Sequence, residues 1–123
     1  MKKRRLLHSF RNAFTGFFII IKIERNLKIH LSAFALSCIT GFFFSITKIE
    51  WLAILIISGV VISLEILNCS IEKLCDFIEP KDNEKIKIIK DIAAAAVLVT
   101  AIFAFIIGIL IFSPYLKQVV VNY

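Results

Sequence analysis

Three long stretches of the chain are nearly free of charge, and they alternate with short, strongly charged segments. Residues 29–46 form the first, broken only by His30. Residues 51–71 form the second, interrupted by Glu65 and Asn68, and residues 92–112 form the third, with no charge at all. A bilayer hydrocarbon core about 30 Å thick is crossed by roughly 20 helical residues, with about 17–25 tolerated. Each stretch meets that length. The pattern predicts transmembrane helices at 29–47, at 51–76 (including an extension beyond the membrane) and at 91–113, with Pro80 ending the extension. Ahead of them Phe10, Phe14, Phe17 and Ile21 recur at i, i+4, i+7 and i+11, one apolar stripe on a helix. Arg11, Lys22, Arg25 and Lys28 rule out a spanning segment there, so residues 1–28 are predicted to form an amphipathic helix lying on the membrane surface. The expected fold is an all-α integral membrane protein, a single domain over residues 1–123, with three transmembrane helices plus this N-terminal amphipathic helix.

Composition agrees. Of the 123 residues 59% are hydrophobic, where a soluble domain carries about 45–50%. A disordered chain is excluded, and a soluble enzyme with a large pocket is not expected. The charges then orient the helices. Thirteen of the fifteen Lys and Arg residues lie in residues 2–28 and 73–90, and only Lys48 and Lys117 lie on the other side. The positive-inside rule places the N-terminus and the 73–90 segment in the cytoplasm, with the short 47–50 connector and the C-terminus facing outward. Trp51 and Tyr115 fall at interfacial positions. The basic N-terminus is not read as a nucleic-acid arm, because Phe10, Phe14 and Phe17 need an apolar surface. No small-residue cleavage site follows it, so it is expected to stay in the mature protein. Cys38, Cys69 and Cys75 form no C-x-x-C pair and are expected to be reduced packing residues.

Candidate chemistry lies where polar residues interrupt hydrocarbon. Glu65, Asn68, Glu72 and Asp76 occupy offsets 0, 3, 7 and 11 of one helix. At about 100° per residue they fall within an arc of roughly 80°, a single polar stripe. An ionised carboxylate at the depth of Glu65 costs a few kcal/mol, so it must find a partner, a metal or a proton. Packing by interhelical hydrogen bonds would account for Asn68 alone, but not for three carboxylates on one stripe. Lys90-Asp91 opens the third spanning helix just before four alanines, which permit close backbone approach. Glu24 is the sole acid among the first thirty residues, and taken alone it reads as an ion pair with Arg25 or Lys28. Two carboxylates can hold Mg²⁺, basic residues can neutralise nucleotide phosphates, and a remaining carboxylate can take a proton from an alcohol. That inventory suits phosphoryl transfer. With four glycines in all, neither a Walker A loop nor G-x-G-x-x-G can be written, so a nucleotide site would be built from side chains and helix ends.

At these residues the sequence resembles the prokaryotic diacylglycerol kinase and undecaprenol kinase family of small membrane lipid kinases. The resemblance rests on Glu65-Ile-Leu-Asn68-Cys-Ser-Ile-Glu72 with Asp76, on Lys90-Asp91-Ile-Ala-Ala-Ala-Ala-Val97, on Phe10-Arg-Asn-Ala-Phe14, and on Glu24-Arg-Asn-Leu-Lys-Ile-His30. It implies transfer of the γ-phosphoryl group of MgATP to a lipid hydroxyl at the cytoplasmic face of a bacterial inner membrane, by a homotrimer with composite sites. It further implies Glu65 as general base and Glu24 and Glu72 as Mg²⁺ ligands. Arg5, Asn12, Glu24, Glu72, Lys90 and Asp91 would contact ATP, with Asn68 and Asp76 in support. The Glu24–His30 stretch looks closer to the undecaprenol kinase branch than to the diacylglycerol kinase branch. Cys69 and Ser70 depart from the small residues usual in the family, and residues 77–89 match it poorly. The competing expectation is a non-catalytic subunit, for membrane assembly or proton-linked transport, in which the stripe is structural.

Overall fold

The computed structural model describes residues 2–121, with side chains described from Leu6 onward. Four helices follow in order: α1 (Lys2–Ile23), α2 (Arg25–Phe44), α3 (Lys48–Ile78) and α4 (Glu84–Val121). No strand occurs among the described residues. All four helices are long and apolar enough to cross a membrane, and α1 is the least apolar of them. The three expected spans are α2, α3 and α4, and α1 corresponds to the amphipathic segment.

Helix borders differ from the sequence reading at two places. The break between the first two helices falls at Glu24, so Arg25 and Lys28 belong to α2. Glu24 is extended (φ −100°, ψ 120°), and its N–H closes the last turn of α1 on the Ile20 carbonyl at 2.9 Å. Lys28 Nζ donates to the Lys22 carbonyl at 3.1 Å and satisfies a second orphan acceptor of that helix end. Neither glycine nor proline marks this corner. It wraps around a small core in which Ile20 of α1, Leu27 of α2 and Cys69 of α3 are all buried. The second difference is in α4, which starts at Glu84 instead of at 91 and runs through Pro114 to Val121 instead of ending at 113. A proline there leaves one carbonyl of the preceding turn without its helical donor, and the helix continues nonetheless.

The α2–α3 connection is built from caps. Ser45 takes the left-handed conformation (φ 51°, ψ 49°), with Ser45 N–H donating to Phe42 O at 3.2 Å and Ile46 N–H to Gly41 O at 3.1 Å. Thr47 then opens α3 with a reciprocal capping box. Its Oγ1 accepts from Glu50 N–H, and Glu50 Oε2 accepts from Thr47 N–H at 2.7 Å. Tyr115 of α4 donates its hydroxyl to the same Glu50 oxygen at 2.8 Å, and its ring stacks on Phe44 with centroids 5.6 Å apart. Gly41 suits this fit, since a Cβ there would lie 3.0 Å from the Trp51 ring and from Ile46 and would press on both. A left-handed L-residue costs about 1–2 kcal/mol, more than the added chain entropy of glycine. Ser45→Gly is therefore expected to stabilise the hairpin by about 0.5 kcal/mol, read as a raised thermal midpoint in detergent.

The spanning helices pack through α3, which contacts α4 most extensively and α2 next. At about 1.5 Å per residue, 31 residues give α3 a length near 46 Å, longer than the hydrocarbon core is thick. Part of α3 therefore lies beyond the hydrocarbon, and its polar stripe runs through its C-terminal half.

Candidate active site at the α1–α2 corner

Glu65 and Asn68 are the buried polar residues, 3% and 6% exposed. The uninterrupted α3 carries them with Glu72 and Asp76 on one face, as the spacing predicts. From α2, Asn26 hydrogen-bonds the Glu65 carboxylate, and His30, one turn further on, faces it. Glu24 and Glu72 bring two more acidic groups close to Glu65. Neither of the two ion pairs among the described residues includes Glu65. It is thus a buried acid among polar and acidic neighbours, with the His30 imidazole close enough to act on its charge.

One helical turn further along the stripe, Asn68 Nδ2 donates to Glu72 Oε1 at 3.2 Å. Asn68 Oδ1 is buried and has no hydrogen-bond partner. An orphaned buried acceptor beside a half-buried carboxylate is costly unless a further group completes it. Glu24 projects from the corner toward the same face, where Lys73 Nζ pairs with Glu24 Oε1 at 3.1 Å. Hydrogen bonds from the Cys69 thiol and then Lys73 hold the Glu24 carboxyl below the usual carboxylate range. The stabilisation from this pairing is accordingly present above the ordinary carboxylate range and is lost as pH falls through the depressed value.

Farther out, Lys90 of α4 pairs with Asp76 of α3 and ties the start of the third span to the end of the stripe. Asp91 is exposed on the next position. Asn12 is exposed on α1, about 18 Å of helix away from Glu24. The Arg5 side chain lies outside the described residues. The structure therefore gathers Glu24, Glu65, Asn68 and Glu72 into one cluster and links Asp76 with Lys90 beside it, while Asn12 stands apart. No three His, Cys, Asp or Glu side chains among the described residues converge as a metal cage. The Glu24 and Glu72 carboxylates would need oxygens from a ligand or water to complete a cation's shell, as Mg²⁺ sites commonly do.

Three residues of the cluster were not singled out from the sequence. Asn26 and His30 stand four positions apart and share a face once α2 is known to begin at Arg25. Lys73 is 49 residues from its partner Glu24, a pairing that no local pattern signals. Below the cluster an apolar cavity of about 520 Å³ opens between α2, α3 and α4, reaching from His30 past Val61 to Leu116.

The chain is similar to proteins already known. Residues 11–112 match the family model of prokaryotic diacylglycerol kinase. An undecaprenol kinase of Bacillus subtilis (strain 168) is 40% identical over 112 residues, covering 91% of each chain. A diacylglycerol kinase of Synechocystis sp. is 35% identical over 120 residues, covering 94% of this chain and 67% of the relative. With the family model spanning most of its length and the polar stripe in place, the chain belongs to the prokaryotic diacylglycerol kinase family.

Proposed function

We propose that this lipid kinase transfers the γ-phosphoryl group of ATP to the hydroxyl of a membrane lipid alcohol, undecaprenol ahead of diacylglycerol, at the cytoplasmic face. The observation that carries the reading is Glu65, a buried carboxylate without an ion-pair partner among the described residues, set beside the Glu24 and Glu72 carboxylates. In the reaction Glu65 accepts the hydroxyl proton as the alcohol oxygen bonds to the γ-phosphorus. The bond from that phosphorus to the β–γ bridging oxygen breaks, and ADP leaves. Asn26 and His30 orient the base from α2. Its place on the polar stripe, buried beside Asn68, puts the carboxylate where a lipid hydroxyl entering from the apolar side would meet it.

The donor set fits Mg²⁺: two carboxylates and the unpartnered Asn68 Oδ1 are hard oxygen donors on one face. Glu24 and Glu72 would hold the ion, which would neutralise charge developing on the nucleotide phosphates. Lys90 and Asp91, nearly two turns into α4, with Arg5 and Asn12 of α1, would bind ATP. Because Asn12 lies far from Glu24 along its own helix, its share in a site fits a homotrimer in which subunits complete one another. The apolar cavity beginning at His30 offers the lipid chain a place that leaves its hydroxyl beside Glu65. The undecaprenol preference follows the relative of 40% identity against that of 35%, and the cytoplasmic orientation follows the Lys and Arg distribution.

The test is transfer of labelled γ-phosphate from ATP in detergent micelles, with and without Mg²⁺, offering undecaprenol and diacylglycerol separately. Mg²⁺-dependent labelling of undecaprenol above diacylglycerol is expected. Labelling of diacylglycerol alone would reverse the acceptor, and labelling of neither by a folded preparation would overturn the reading.

A further inference from the structure

Lys73 is a charged residue to which the reaction above gives no task. It follows Glu72 on α3, and its Nζ sits 3.1 Å from Glu24 Oε1 across 49 residues of chain. The Glu24 side chain is 23% exposed and that of Lys73 53%, so the carboxylate is held inside while the ammonium approaches from the solvent side. Glu24 is also the extended residue that separates α1 from α2, and its side chain makes no cap on α2. Its carboxylate is therefore aimed from α3, by the Cys69 thiol and by Lys73. Without that ammonium, Glu24, Glu65 and Glu72 would face one another as three acids with little to compensate them. Like charges in one site repel, and the outermost of the three, on a corner without regular structure, is the one free to swing into water.

We propose that Lys73 is a positioning residue: the resident counter-cation of Glu24, which holds that carboxylate and the α1–α2 corner in place until a divalent cation takes the carboxylate over. This rests on the reading of Glu24 as a cation ligand. A divalent ion bound at about 2.1 Å repels an ammonium paired to the same oxygen, so the two compete for Glu24. Being half exposed, Lys73 can turn toward water or a nucleotide phosphate at small cost when displaced. Competition gives the proposal a sign that a purely structural ion pair lacks. Loss of Lys73 loosens the empty corner yet tightens cation binding, whereas loss of a structural tie would loosen both.

The experiment measures binding of Mn²⁺ to the nucleotide-free full chain in detergent micelles, from the electron paramagnetic resonance signal of free Mn²⁺. Wild type is compared with Lys73→Gln, Lys73→Arg and Glu24→Gln, and backbone hydrogen exchange at residues 20–28 is followed with and without Mn²⁺. Lys73→Gln is expected to bind Mn²⁺ tighter by up to about fivefold, the range an exposed ion pair allows. Its corner should exchange faster than wild type without the ion and regain wild-type protection with it, and Lys73→Arg should stay close to wild type in both readouts. Unchanged or weaker Mn²⁺ binding by Lys73→Gln, while Glu24→Gln does weaken it, overturns the proposal and leaves Glu24 a ligand. Wild-type Mn²⁺ binding by Glu24→Gln, or none by wild type itself, overturns the ligand reading and the proposal with it.

Discussion

Glu65→Gln is expected to lower turnover by about 10²–10⁴-fold, the usual contribution of a positioned general base. The amide keeps the shape of the side chain and its ability to hydrogen-bond Asn26, but it cannot carry away the hydroxyl proton. ATP binding and oligomeric state should be unchanged, because the proposed nucleotide contacts lie on α1, at Glu24 and Glu72, and at Lys90 and Asp91 of α4. Steady-state rates with saturating lipid, beside nucleotide binding and sedimentation of the same preparation, check the point. Turnover within a few-fold of wild type would make Glu65 a packing residue and favour a subunit in which the stripe is structural. Removing a buried carboxylate also relieves a desolvation cost. A variant that is more stable and yet inactive is therefore the expected combination, and misfolding does not produce it.

Glu72→Gln should act differently. The amide oxygen can still accept from Asn68 Nδ2, so the local fold is expected to persist. What is lost is a charged oxygen ligand, and the Mg²⁺ concentration giving half-maximal rate should rise by at least about 10–100-fold, the scale on which even outer-shell partners matter. Part of the rate should return at high Mg²⁺, which would not happen for Glu65→Gln. A Mg²⁺ profile identical to wild type would remove Glu72 from the cation site. Glu24→Gln is expected to resemble Glu72→Gln, and the double variant to fall short of the product of the two effects, since both act on one ion.

Much of this was legible in the chain itself. Residues 29–46, 51–71 and 92–112 announce helices because nothing else can hold so much uncharged sequence, and the Glu65–Asp76 stripe follows from helical periodicity alone. The corner at Glu24 was not legible. After Ile21 the chain passes through the charged residues 22–28 before the apolar stretch begins, and no glycine, proline or side-chain cap there marks where one helix ends and the next starts. The turn is set instead by burial of Ile20 and Leu27 against Cys69, a contact between segments more than forty residues apart. For the same reason Glu24 reads locally as a partner of Arg25 or Lys28, while in the fold Lys28 closes the end of α1 and Lys73 takes the carboxylate. His30 reads locally as no more than the one break in an apolar stretch until α2 brings it close to Glu65.

The single unbroken α3 acts as a measuring rod between the two faces of the protein. Glu50, locked to Thr47 and Tyr115, marks one end, and Glu65 is placed from it by fifteen residues of helix. One residue inserted between them would turn the stripe by about 100° and carry the Glu65 carboxylate away from Asn26, into the place where Ile66 now packs against the small core at the corner. Seven inserted residues would restore the face to within about 20°, but would carry the carboxylate about 10 Å along the axis and out of the hydrocarbon. Neither rotation nor depth can be changed alone, so the segment between hairpin and base is fixed in length as well as in character. Descendants of this chain can vary its side chains freely only while they keep the count.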